Sequence, residues 1–277
     1  MTGQDVDTVE LDSMLELLSD KDEFTLDMVR ERVFKLGWRA VEYFYQNMDK
    51  VERPYGRTVY RNVCEISSVL AFKEILDLLK SGEAFYVPDG LYSLTRILRP
   101  ELAPDTFRLC YEDAGNSLIC GMNDSMTAVE KVEMLNYVVY DKYGFRLDGG
   151  MNTDETTVLL PDLMEKRRGG VVGLSTVYFM LASYAGLPVY PLFPKSPGYF
   201  VAYFDGTDSL FTIDVGNYGR ISEPVPKEDW KKTPFMGTDR TILYIYAASL
   251  RRFGLSDTFS DRLACMLLNK LLDVLAV

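Results

Sequence analysis

Histidine is missing from this chain of 277 residues. It is the side chain whose unperturbed pKa lies closest to neutrality, and it carries much of biological general-base chemistry. Its absence excludes Ser-His-Asp and Cys-His-Asp triads and any histidine-ligated metal within the chain. Carboxylate, lysine, tyrosine and thiol chemistry remain, as does binding without chemistry. Cysteine is also scarce. Cys64, Cys110, Cys120 and Cys265 form no C-x-x-C pair. They lie in apolar helical patterns, which predicts reduced, buried thiols in a reducing compartment.

Positive charge is in short supply, with 30 basic against 41 acidic residues and a net charge of −11. Such a surface repels phosphate backbones and anionic membranes. The compact basic cluster Lys166, Arg167 and Arg168 is too small for a nucleic-acid footprint, so no nucleic-acid partner is expected. Asp5, Asp7, Glu10 and Asp12 occupy the first residues without a basic n-region. No signal peptide is expected, and the location read from this is cytoplasmic. The stretch 171–194 carries no charge but is broken by Gly186, Pro188, Pro191 and Pro194 after about fifteen residues, short of the roughly twenty needed to span a bilayer. It reads as a buried helix followed by a strand, with no membrane partner.

What is present is core-forming material, 47% apolar and 13% aromatic, which argues against disorder. Periodicity predicts helices over 8–19, 25–48, 57–81, 89–98 and 104–121. In the second of these Met28, Val33, Leu36, Val41, Tyr43 and Phe44 should face inward. Gly82 reads as a helix stop. Thr127-Ala-Val-Glu130 has capping-box spacing and predicts a helix running to Gly144. Gly149-Gly150 reads as a loop, 157–168 as a short helix and 174–185 as an apolar helix. The period then shifts toward strands at 189–193, 199–204 and 210–213, with a hairpin turn at Asp205–Asp208. A connecting loop over 215–237 leads to helices at 238–252 and 256–277. The fold class expected is α+β, mostly helical, with a small antiparallel sheet packed on the central helix.

The order of these elements resembles the transglutaminase-like core of the bacterial SirB family, whose fold is related to papain-like cysteine proteases. The matching pieces are Tyr143-Gly144-Phe145-Arg146, the run Leu163–Gly169, and the helix 174–185 followed by Gly186-Leu187-Pro188. Pro197-Gly198-Tyr199-Phe200 and Ile213-Asp214 complete them. The resemblance covers roughly 85–277 and implies a transglutaminase-like domain over 85–237 and a tetratricopeptide-like helix pair over 238–277; residues 1–84, helical by periodicity, form a separate N-terminal region outside it. It also implies where chemistry would sit. An active member places its nucleophilic cysteine at the start of the central helix, its histidine on a strand, and an orienting acid on the next strand. Here the helix start is Val172-Gly173-Leu174-Ser175, the histidine position holds Tyr199, and the acid is kept as Asp214. Gly173, Ser175, Tyr199 and Asp214 are therefore the candidate relic site, in which Tyr199 could hydrogen-bond Asp214 and line a groove.

The function expected is non-catalytic binding of a protein or peptide through the former cleft or the C-terminal helices, with no cofactor and no metal. Two alternatives stand beside it. One is a residual hydrolase or acyl transferase using Ser175, for which Lys195 is the candidate dyad partner. The other is a structural role, with Leu263–Val277 as a homo-oligomerisation surface. Asp205 and Asp208 lack the further ligands of a calcium loop and read as a solvated turn.

Overall fold

Gly37 shows how local chemistry shapes the N-terminal region. Its backbone sits at φ +66°, and its N–H closes the preceding helix on the Val33 carbonyl at 2.8 Å. An L side chain is strained in that region, so glycine breaks what periodicity reads as one helix. The computed structural model, which describes residues 8–80, 85–148, 158–195, 198–231, 238–253 and 259–276, has two helices there. They are α2 (Glu23–Leu36) and α3 (Trp38–Gln46), preceded by α1 (Thr8–Leu17) and followed by α4 (Gly56–Lys80). The break re-aims the apolar face. Val29, Val33, Val41 and Phe44 are buried, whereas Met28, expected inside, is 60% exposed.

These side chains form one core with Leu11 and Leu15 of α1 and Val59, Val63 and Ile66 of α4. Farther along α4, Ala71 and Ile75 join a second, larger core. The long helix thus crosses from one to the other.

The middle helices begin at or within two residues of where the sequence puts them. α5 (Val87–Leu98) and α6 (Pro104–Gly121) each carry proline in the first turn, where a missing N–H costs nothing. α7 (Ala128–Asn136) starts on the expected capping box. The Thr127 N–H donates to the Glu130 carboxylate at 2.7 Å, and the Glu130 N–H donates to the Thr127 hydroxyl at 3.3 Å. Its continuation is a π-helical turn, Tyr137–Lys142, rather than further α-helix. Gly82 and Gly149-Gly150 lie outside the described residues.

α8 (Leu160–Lys166) ends earlier than expected, on a left-handed Arg167 at φ +56°. Residues expected to prolong it form β2 (Arg168–Gly169), which pairs in parallel with β1 (Arg146–Leu147). The central helix α9 (Val171–Tyr184) begins three residues before the expected start. It is buried almost all round, as its uninterrupted apolar sequence requires.

Against α9 packs an antiparallel meander of β3 (Val189–Leu192), β4 (Phe200–Asp205), β5 (Asp208–Asp214) and β6 (Arg220–Ser222). The last strand falls in a stretch read as loop. Its three residues are exposed or half-buried, so no apolar alternation announces it. Val201, Tyr203, Phe211 and Ile213 point into the larger core. Leu192, Ala202 and Phe204 form a small cluster with Trp230 on the other face.

α10 (Asp239–Phe253) and α11 (Phe259–Leu275) close the molecule. Leu243, Tyr246 and Leu250 of α10 and Leu267, Leu268 and Leu271 of α11 belong to the larger core. The Tyr246 hydroxyl is bridged to Thr95 at 2.9 Å and accepts the Leu160 N–H at 3.3 Å. The buried leucines of α11 thus pack within the chain, while Met266 and Val274 of the same helix are exposed. Among the described residues, no helix is long and apolar enough to cross a membrane. The four thiols are free, with Cys64 buried, Cys110 and Cys265 intermediate and Cys120 exposed. Burial of all four is thus not what the fold provides.

Candidate functional site

Ser175 lies in the second turn of α9, because the helix begins at Val171. It is 1% exposed, and its hydroxyl has no hydrogen-bond partner. Gly173 and Thr176 beside it are buried as well. A serine this far inside the helix is not at the dipole-favoured end. Lys195, the other half of the considered dyad, is solvent-exposed. Its backbone N–H is tied to the Asp229 carbonyl at 2.7 Å. The dyad does not form.

Tyr199 stands just before β4, after Gly198, whose φ of +109° turns the chain into the strand. The tyrosine ring packs between Phe193 and Phe179, with centroid distances of 6.5 Å to each. Its hydroxyl is buried beside that of Ser175, which is near enough to favour the phenolate slightly but does not meet it in hydrogen-bond geometry. Burial pushes the phenol up to about 12, and the nearby Ser175 hydroxyl offsets this only in part. A phenol that holds its proton so tightly is no general base at neutral pH.

Asp214 ends β5 opposite Arg220 of β6 and is exposed, while its neighbour Ile213 is buried. The loop after it is held firmly. The Asp214 carbonyl accepts the Gly219 N–H at 2.9 Å, and the Tyr140 hydroxyl donates to the Val215 carbonyl at 2.8 Å. Asn136 donates to the Gly219 carbonyl at 2.9 Å and accepts from the Tyr178 hydroxyl at 2.8 Å. None of these bonds reaches Tyr199. The hydrogen bond that Tyr199 could make to Asp214 is not formed: the structure brings Tyr199 to Ser175 instead. The physical reason is that the phenol is sealed against the helix while the carboxylate faces solvent.

One consequence is measurable. An unpaired buried hydroxyl costs roughly 1–3 kcal/mol in desolvation, and deleting it recovers part of that. Tyr199→Phe should therefore leave stability unchanged or raise it by up to about 1 kcal/mol. Between pH 10 and about 12 the unfolded phenol releases its proton while the folded one keeps it. Stability falls with rising pH in that window, because the unfolded state then binds fewer protons. Urea melts of the Phe variant should show a shallower decline there; an unchanged slope would refute the burial of this phenol.

Tyr199 also lines a cavity of about 450 Å³, within the usual range for ligand sites. Val172 at the start of α9, Phe193 and Tyr199 form one wall. Tyr244, Ile245 and Ala248 of α10, with Leu275 of α11, form another. Three cations also line it: Lys231, Arg240 and Arg252. Sequence reasoning missed them because they come from separate stretches, and no local cluster announces them. The compact cluster it did notice, Lys166–Arg168, plays no part in this cavity. Asp208, read as a turn residue, forms an ion pair with Lys227. Among the described residues no group of acidic or thiol side chains could hold a metal ion.

The family model described as Transglutaminase-like superfamily matches residues 105–249, from α6 through most of α10. That span is just over half the chain and includes Ser175, Tyr199 and Asp214. Comparisons with curated proteins and with solved structures return no match.

Proposed function

The chain belongs to the transglutaminase-like superfamily, and we propose that it acts there as a non-catalytic binding protein, receiving a protein or peptide partner in the cavity beside Tyr199. The observation that carries this reading is the state of Tyr199. It replaces the base of the resembled family and borders an open cavity. Its own hydroxyl is buried and unpaired. Catalysis by such a core needs a nucleophile, a base and an orienting acid in hydrogen-bond reach. The chain has no histidine, and the hydroxyls of Ser175 and Tyr199 meet no carboxylate. Acyl transfer through Ser175 is disfavoured for the same reason. The SirB-type assignment and the tetratricopeptide-like character of the final helix pair belong to this reading too. They rest on the order of elements from Tyr143 to Asp214 and on α10 with α11.

The test is chemical. Incubation with glutamine-containing peptides and primary amines, followed by mass spectrometry, should give no transamidated, deamidated or cleaved product above the buffer control. Alkylating the thiols should leave partner binding unchanged. Turnover that disappears in Tyr199→Phe or Asp214→Asn would overturn the proposal.

A further inference from the structure

Lys231 lines the cavity beside Tyr199 and is itself exposed. Its place there is fixed by backbone pairing. Pro194 bridges Trp230 in antiparallel register. On either side of that bridge the Lys231 N–H donates to the Phe193 carbonyl at 2.8 Å, and the Lys195 N–H to the Asp229 carbonyl at 2.7 Å. Lys231 therefore stands directly opposite Phe193. Opposed residues of an antiparallel pair project to the same face, with Cβ atoms about 4.5–5.5 Å apart. The Phe193 ring in turn meets two others that line the cavity: Tyr199 at 6.5 Å and 57°, and Tyr244 at 6.3 Å and 82°. Ile245, Ala248 and Leu275 extend this apolar wall. Arg240 and Arg252 border the cavity too, but both are engaged in other contacts. Lys231 differs: among the described residues its ammonium has no ion-pair partner.

The result is an aromatic wall with one unpaired cation held next to it. We infer that the cavity binds the C-terminus of a partner polypeptide, with a large apolar last side chain against Phe193, Tyr199 and Tyr244 and the terminal carboxylate at the Lys231 ammonium. The inference rests on the binding reading above and specifies its ligand. Rings at such mutual angles favour an aromatic last residue, which adds edge-to-face contact to burial. Size selects a chain end over an internal segment. A cavity of about 450 Å³ lies in the lower part of the range for ligand sites, about 300–1,000 Å³. It suits one or two large side chains. A terminal residue carries its apolar group and its carboxylate on the same Cα, whereas an internal acidic residue needs a neighbour to supply the apolar part.

The test uses the full chain and the pentapeptide Gly-Ser-Gly-Leu-Phe, labelled with fluorescein at its N-terminus and free at its C-terminus. One companion peptide ends in an amide, and another has serine in place of the final phenylalanine. Fluorescence anisotropy should rank the free acid above the amide by about fivefold to tenfold, a gap that closes as salt rises. The serine peptide should bind at least about tenfold more weakly than the free acid. Lys231→Gln should lower affinity for the acid to that for the amide and leave the amide unchanged. Ala248→Phe fills the cavity and should weaken both, with circular dichroism confirming that the variants are folded. Equal binding of acid and amide would overturn the inference while leaving the peptide-binding reading intact. So would a gap that survives in Lys231→Gln, unchanged binding to Ala248→Phe, or no binding of either peptide. 3-Phenylpropionate carries the same ring and carboxylate without a chain, and should compete at least about tenfold less well than the unlabelled peptide. Equal competition would assign the cavity to a small free acid and overturn the inference. Cleavage or cross-linking of a peptide, detected by mass spectrometry, would instead overturn the non-catalytic reading.

Discussion

Trp38→Ala should destabilise the protein by about 3–5 kcal/mol, through loss of packing and through what it does to Arg96. Arg96 lies in α5, does not line the cavity beside Tyr199, and is 3% exposed. Its guanidinium stacks 3.1 Å from the centroid of the Trp38 ring and 5.1 Å from that of Tyr92. Its Nε has no hydrogen-bond partner, and burial lowers its pKa. The two aromatic faces are therefore much of what compensates this charge for lost hydration. Removing the indole leaves a buried cation with less compensation. Arg96→Met keeps the volume and removes the charge, so it should cost little, about 1 kcal/mol or less, or even stabilise. The informative measurement is a double-mutant cycle by urea denaturation. Trp38→Ala should cost at least about 1 kcal/mol less in the Arg96→Met background. Strict additivity would mean that Trp38 acts only as packing.

Gly219→Ala should cost about 3–5 kcal/mol, from two separate causes. Gly219 sits at φ +72°, where a side chain carries roughly 1–2 kcal/mol of backbone strain. In addition, a Cβ there would lie 1.8 Å from the Asn136 Oδ1 atom. Asn136 must then move, which breaks its bond to the Gly219 carbonyl and strands the buried Tyr178 hydroxyl. Leaving such a hydroxyl unsatisfied costs roughly 1–3 kcal/mol. Gly206 separates the causes, since its φ is +57° and a Cβ there meets nothing within 4 Å. Gly206→Ala should show the backbone strain alone, about 1–2 kcal/mol. If the two glycine variants melt alike in urea, Asn136 does not hold the loop after Asp214.

Both residues belong to contacts that periodicity does not reveal. Trp38 reads as one aromatic in an amphipathic helix, and nothing near it in sequence points to Arg96. Gly219 reads as a turn glycine, which it is. The reason that alanine fails there, however, is a side chain from α7, eighty-three positions away.

The local punctuation was far more legible. The capping box at Thr127, the start of α6 at Pro104 and the hairpin at Asp205–Asp208 all stand where the sequence places them. Two of the boundary errors depended on backbone conformation rather than side-chain pattern. Gly37 was read as one more helical residue until its positive φ separated α2 from α3. Arg167 took a left-handed conformation that released Arg168 and Gly169 to pair with β1. β6 was hidden because a short edge strand lacking buried residues has no hydrophobic period to read.

The candidate site divides in the same way. The amino-acid sequence determined, without any coordinates, that no histidine-based mechanism operates within this chain. It also determined the α+β class and the burial of the helix that precedes the sheet, because these follow from residue type and local spacing. Tertiary structure decided which groups meet. It sealed the Tyr199 hydroxyl beside Ser175 and left Asp214 in solvent, although all three align with one family site. It also drew Lys231, Arg240 and Arg252 around a single cavity. Charges from separate segments become neighbours only when helices and strands pack, and burial, which sets the pKa of Tyr199, exists only after they have done so.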